Sequence, residues 1–269
     1  MVRPIEVAAR LGYAARALVY FTVGILAVVA ALGQGGETTG ATGALQALLR
    51  QPFGTVLLGL TALGLACYAL WKFVQALGNA DGDVMGWGKR AAGVVGGLLH
   101  LGLAWAAVQL VLGWGAGGGG EDAQAQGWTA WLMAQPAGRW LVAAVGAAIA
   151  VGGAALIWNG WRGKYKRHLA LPYEARAWAE PVCTFGLVVR GIVFVMIGGF
   201  VGLAAWTTDP GEVRGLGGAL DALRDQPYGP WLLGTVAFGL IAFALYSAIA
   251  ALYRRIDAPS PQTVLRRFA

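Results

Sequence analysis

Long apolar runs alternate with short polar stretches along this chain, and six of the runs are long enough to cross a bilayer: 11–32, 54–77, 91–113, 137–161, 182–206 and 230–252. A hydrocarbon core of roughly 30 Å takes about 20 mostly apolar residues in a helix. The pattern therefore predicts an all-α, six-transmembrane-helix bundle in one membrane domain over 1–269, because the remaining loops are too short for a separate soluble domain. Shorter apolar positions at helical spacing lie between the runs. Leu45, Leu48 and Leu49 alternate with Gln46 and Arg50, and Leu220 and Leu223 with Asp221, Arg224 and Asp225. These predict short amphipathic helices on the outer membrane face.

One such helix is expected before each of three copies of a motif: Gln51-Pro52-Phe53-Gly54, Gln135-Pro136-Ala137-Gly138 and Gln226-Pro227-Tyr228-Gly229. The match extends upstream to Gly43, Gly127 and Gly218, and downstream to Leu57, Leu141 and Leu232. The chain thus reads as three two-helix repeats, 6–80, 90–163 and 180–255, followed by a tail over 256–269. Two helices per repeat keep every copy in the same orientation, so the hairpins are expected to be related by a pseudo-threefold axis along the membrane normal. Proline is favoured at the first position of a helix, so Pro52, Pro136 and Pro227 are expected to start the even helices, with the glutamines ending the preceding element and capping the new one. The motif reads as architecture.

Composition and charge agree with a membrane protein. Of 269 residues 58% are hydrophobic and 12% charged, against about 25% charged in a soluble domain. The net charge of +7 does not point to nucleic acid, because the basic residues are segregated by side. Of 20 Lys and Arg, only Arg50, Arg139, Arg214 and Arg224 fall on the side that carries Gln-Pro. The positive-inside rule then puts both termini in the cytoplasm. The acids Glu37, Glu121, Asp122, Asp209, Glu212, Asp221 and Asp225 lie on the opposite, outer side. Met1 leads through Arg3, Glu6, Arg10 and Arg16 into a long apolar run with no small-residue cleavage site, so no signal peptide is expected. Cys67 and Cys183 have no pairing spacing, and His100 and His168 are the only histidines, which offers no metal-ligand set.

The repeat also aligns the odd helices. Gly12-xxx-Arg16 corresponds to Gly96-xxx-His100 and, with a one-residue shift, to Gly186-xxx-Arg190. A basic residue recurs within three membrane segments, and an ionisable residue at such depth is a functional candidate. Arg16, His100 and Arg190 are the candidate axial residues. Glu6 and Glu180 stand ten residues before Arg16 and Arg190 as candidate ion-pairing partners. Gly93-xxx-Gly97 and Gly198-xxx-Gly202 are small-residue patterns that permit close helix contact. The Gly117–Gly120 run follows no strand and lacks a P-loop lysine, so it reads as a loop.

The sequence resembles the bacterial membrane family called domain of unknown function 1206. The resemblance rests on Arg10-Leu-Gly-Tyr-Ala-Ala-Arg16, on Gly43-Ala44-Leu45 with Gln51-Pro52-Phe53-Gly54, and on Leu63-Gly-Leu-Ala-Cys-Tyr-Ala-Leu-Trp71. The second copy departs from it, with His100 and Ala104 where the first has Arg16 and Tyr20. The resemblance implies a six-helix inner-membrane protein and no assigned activity. Two functions stand: a small-solute or ion transporter or channel with a basic axis, or a structural subunit that binds another membrane complex or a second copy. An enzyme ranks below both, because the spans cluster no carboxylates and hold no nucleophile with a base. No cofactor is expected.

Overall fold

The computed structural model describes residues 4–33, 38–78, 86–114 and 120–255. Glu37, Gly117 to Gly119 and the expected tail over 256–269 lie outside them. Nine helices make up the described chain: α1 (Pro4–Ala31), α2 (Ala41–Leu49), α3 (Gly54–Gly78), α4 (Trp87–Val111), α5 (Glu121–Met133), α6 (Gly138–Trp161), α7 (Tyr173–Thr207), α8 (Leu216–Arg224) and α9 (Gly229–Tyr253). Six of them, α1, α3, α4, α6, α7 and α9, are long and apolar enough to span a membrane. Helices α1 and α7 start well before the apolar runs at 11 and 182, and α7 carries Pro181 in its interior. Their first turns hold charged residues, including Glu6 and Glu174. An apolar window does not register such turns.

The six spans pack in the lateral order α4, α3, α1, α9, α7, α6, with α1 and α9 at the centre. In the first hairpin α1 packs on α3, and in the third α7 packs on α9. The middle hairpin differs: α4 leans on α3 and α6 on α7, and among the described residues α4 and α6 do not pack on each other. Val19, Val23, Leu58, Leu65, Val189, Val193, Leu233 and Leu240 fill the space between α1, α3, α7 and α9. A second, aromatic-rich cluster of Tyr13, Tyr68, Trp71, Phe243 and Tyr246 lies between the same spans. Gly198 and Gly146 let α7 and α6 touch backbone to backbone, since a Cβ on Gly198 would lie 2.6 Å from Ala150 N.

The Gln-Pro-x-Gly motif is a turn rather than a helix start. The helices begin at Gly54, Gly138 and Gly229, two residues after each proline, and the glycine N–H donates to the glutamine carbonyl at 2.8 Å in all three copies. Pro supplies the fixed φ of the first turn position, and the next residue takes positive φ: Phe53 at 60°, Ala137 at 60° and Tyr228 at 64°. The glutamines cap backwards. Gln226 Nε2 donates to Ala222 O at 3.2 Å, one turn earlier, and Gln51 and Gln135 point the same way. Glycine is required at the last position because a Cβ there would run into the C-terminal carbonyls of the preceding short helix, those of Leu49, Leu132 and Arg224.

Opposite effects are therefore expected within one turn. Gly229→Ala should destabilise by about 1–3 kcal/mol, the usual cost of overpacking. Tyr228→Gly, at an 81% exposed residue, should be neutral or stabilising because it relieves a left-handed backbone that costs an L-residue about 1–2 kcal/mol. Thermal unfolding of both variants in detergent measures the difference.

Candidate functional site

Arg16, on α1, is 6% exposed and is held from three sides. Its Nε donates to Ser247 Oγ on α9 at 3.1 Å, and its Nη1 donates to Tyr68 Oη on α3. Ser247 Oγ donates in turn to Phe243 O at 2.9 Å, which leaves a lone pair for the guanidinium. Four rings surround the charge, with Cζ 4.9 Å from the centroids of Tyr13 and Tyr68, 5.0 Å from Phe243 and 6.0 Å from Tyr246.

Arg190, on α7, reaches the same place from the third hairpin. Its Cζ is 4.2 Å from the Phe243 centroid, 4.9 Å from Tyr20 and 5.0 Å from Phe194. The single Phe243 ring thus serves two guanidinium groups. Arg16 Nη2 and Arg190 Nε are buried with no hydrogen-bond partner among the described residues, and neither side chain meets a carboxylate there. His100, on α4, lies against the outer side of this group: its ring is 4.5 Å from that of Tyr68, and its Nδ1 donates to Gly96 O at 2.7 Å.

Glu6 and Glu180 are elsewhere. Glu6 pairs with Arg10 at 2.9 Å, and Arg10 also donates to the carbonyls of Ala251 and Leu252, closing the C-terminus of α9. Such a cation complements the negative end of a helix. Glu180 pairs with Lys166 at 2.5 Å. Cys67 and Cys183 are both free.

Helix spacing explains why two copies build this centre and the third does not. A Cβ on Gly12 would lie 2.6 Å from Tyr68 Cα, and one on Gly186 2.4 Å from Phe243 N, so these glycines set the contacts α1 on α3 and α7 on α9. Tyr68 and Phe243 are themselves equivalent, each 17 residues after the Gln of its motif. The middle copy has Gly152 there and Ala104 in place of Tyr20 or Phe194. Among the described residues nothing lies within 4 Å of a Cβ placed on Gly96 or on Gly152. The ring pair and the helix contact are missing together. Sequence reasoning located the basic residues but not the aromatic walls; aligning positions 68, 152 and 243 was the signal that would have found them.

The profile of the family described as Domain of Unknown Function (DUF1206) matches the chain three times, over residues 11–78, 91–163 and 185–254. The chain belongs to this family. Another protein, the "Uncharacterized protein YxxB" of Bacillus subtilis (strain 168), is 32% identical over 256 residues, covering 92% of this chain and 90% of its own length. No solved structure matches. The three matched segments of the family correspond to α1 to α3, α4 to α6 and α7 to α9, so the Arg16 and Arg190 centre joins the first segment to the third.

Proposed function

We propose that this protein of the bacterial cytoplasmic membrane binds a small anion at the Arg16 and Arg190 centre and passes it across the bilayer. One observation carries the reading: two buried guanidinium groups from separate hairpins share Phe243, and among the described residues each keeps a nitrogen without a partner and meets no carboxylate. Burying an ion costs several kcal/mol even after relaxation, and cation–π contacts return about 0.5–2 kcal/mol each. A bound anion offsets the rest. The segregation of Lys and Arg supports termini in the cytoplasm, which puts α2, α5 and α8 outside. The recurrence of the basic position supports descent of the three hairpins from a pseudo-threefold plan, with the middle copy altered.

Anion passage into proteoliposomes tests this. Arg16→Met and Arg190→Met should each lower chloride or acetate uptake by about 10- to 100-fold, since a hydrogen bond to a charged group is worth about 1.5–3 kcal/mol. Arg→Lys should recover part of it. Uptake unchanged in both Met variants, in protein of normal yield and monodispersity, rejects the reading.

A second reading, a subunit that binds another membrane protein, rests on the middle copy. Its hairpin is open, and Trp105, Trp128, Trp131, Trp140 and Trp158 are all exposed on it. Co-purification from native membranes that is lost on replacing Trp105 and Trp158 by leucine supports this reading.

A further inference from the structure

Among the described residues, packed apolar side chains close the Arg16 and Arg190 centre towards both ends of the bundle. At one end Tyr165, Leu169, Leu171 and Leu187 are buried in the cluster that holds Tyr13 and Phe243. At the end of the Gln-Pro turns, Leu45 of α2 and Leu216 and Leu220 of α8 are buried in the cluster that holds Val23 and Leu233. The flank is different. Helix α4 packs on α2 and α3, and α6 on α5, α7 and the 3-10 turn Lys164–His168, but among the described residues neither packs on the other. Ala104 and Ala107 of α4 nevertheless share one buried cluster with Val189 and Val193 of α7. The row of spans therefore has two free edges, and the cleft between them faces the bilayer.

Exposure follows that opening. Arg16 is buried whole, whereas Arg190, buried at its Nε, is half-buried as a residue, and so are Tyr20, Phe194 and His100. Arg190 lies eight residues, about 12 Å, inside the apolar run 182–206, so its exposed atoms meet hydrocarbon and not water. From this level towards the Gln-Pro end, the half-buried side chains of Leu103 and Leu110 on α4 and Ile197 on α7 offer apolar walls. Leu110 is ten residues past His100, about 15 Å along the helix, which is the reach of a dodecyl chain. A cation at the foot of an apolar cleft, closed to water at both ends, suits a ligand that carries both characters and travels in the bilayer.

We propose that the anion bound at the Arg16 and Arg190 centre is the carboxylate of a long-chain fatty acid, which enters sideways between α4 and α6 and lays its tail along the cleft towards the Gln-Pro end. The proposal rests on the reading of that centre as an anion site and narrows the anion. A guanidinium meets the two oxygens of a carboxylate with charge-assisted hydrogen bonds. Depth excludes the commoner lipid head. A phospholipid holds its charged phosphate at the water interface, about 12 Å from Arg190, whereas a single-chain acid sinks its head into hydrocarbon as the neutral form, avoiding the cost of an ion there. The proton that it takes up at the interface is returned once the guanidinium groups hold the carboxylate, so none is consumed.

Binding of tritiated laurate to the full chain in phosphatidylcholine nanodiscs, with the signal of empty nanodiscs subtracted, tests this against acetate, hexanoate, decanoate and methyl laurate as competitors. The displacing concentration should fall about threefold to fourfold per added methylene, so that acetate, the head without its tail, is at least about 100-fold weaker than decanoate. Methyl laurate, which has the tail and no charge, should not compete. Arg16→Met and Arg190→Met should each weaken laurate binding by about 10- to 100-fold. Leu103→Trp, which fills the cleft and leaves both arginines in place, should weaken it by about tenfold. Full laurate binding in both Met variants, or competition by methyl laurate, overturns the proposal, because the label then sits on apolar surface alone. Unchanged binding in Leu103→Trp overturns the cleft. Acetate that displaces the label as well as decanoate does also overturns the proposal, yet leaves the small-anion reading standing; that reading falls only if acetate uptake is itself indifferent to both arginines.

Discussion

Gly12→Ala and Gly186→Ala are each expected to destabilise the protein by about 1–3 kcal/mol, while Gly96→Ala at the aligned position is neutral or stabilising. In the first two, the added methyl meets the backbone of Tyr68 or Phe243, and backbone cannot move aside as a side-chain tip can. The helices must separate, with the usual cost of an overfilled interior. At Gly96 no atom of the described residues lies within 4 Å of the added Cβ, so what remains is the intrinsic gain of about 1 kcal/mol for Ala over Gly within a helix. Three identical mutations thus give two signs. Melting temperatures in detergent for the three variants decide it, and equal losses at all three would refute the inequivalence of the middle copy. Because separation of α7 from α9 carries Phe243 away from Arg190, Gly186→Ala should also weaken anion uptake.

Phe243→Ala is expected to have the largest single effect, a loss of about 3–5 kcal/mol, the common range for Phe to Ala in a packed interior. Phe243 is 1% exposed and its ring lies beside both guanidinium groups. Its removal opens a cavity and leaves two like charges facing each other across it. Phe243→Leu separates the two causes. It restores most of the volume but no ring quadrupole, so its deficit reports the two cation–π contacts and should be about 1–3 kcal/mol. Phe238→Leu on the same helix, at a residue that is exposed, should change stability by less than about 0.5 kcal/mol. Chemical unfolding in mixed micelles compares the series; a Phe243→Leu variant as stable as Phe238→Leu removes the ring from the account.

Much of the fold was legible because the signals were one-dimensional. The six spans follow from apolar run length alone, and the three-copy organisation from Gln-Pro-x-Gly. The role of that motif was not legible in the same way. Proline is equally at home as the first residue of a helix and as the second of a turn, and the deciding feature, positive φ at Phe53, Ala137 and Tyr228, leaves no mark in the residue types. Arg16, His100 and Arg190 stood out because charge is rare in an apolar segment. Tyr68 and Phe243 did not, since an aromatic residue in such a run carries no periodic signal until its partner across the helix contact is known.

The open middle hairpin has a consequence for how the protein is made. Helix α4 can settle against α3 as soon as it leaves the ribosome, because its partner is already in the bilayer. Among the described residues helix α6 packs on the short helix α5 but on no earlier span: its packing surface, built on Gly146 and Gly153, fits α7, which is synthesised later. Biogenesis is therefore expected to pass through a stage in which α6 has no partner span, and a nascent chain arrested between α6 and α7 is the species that membrane quality control should recognise first.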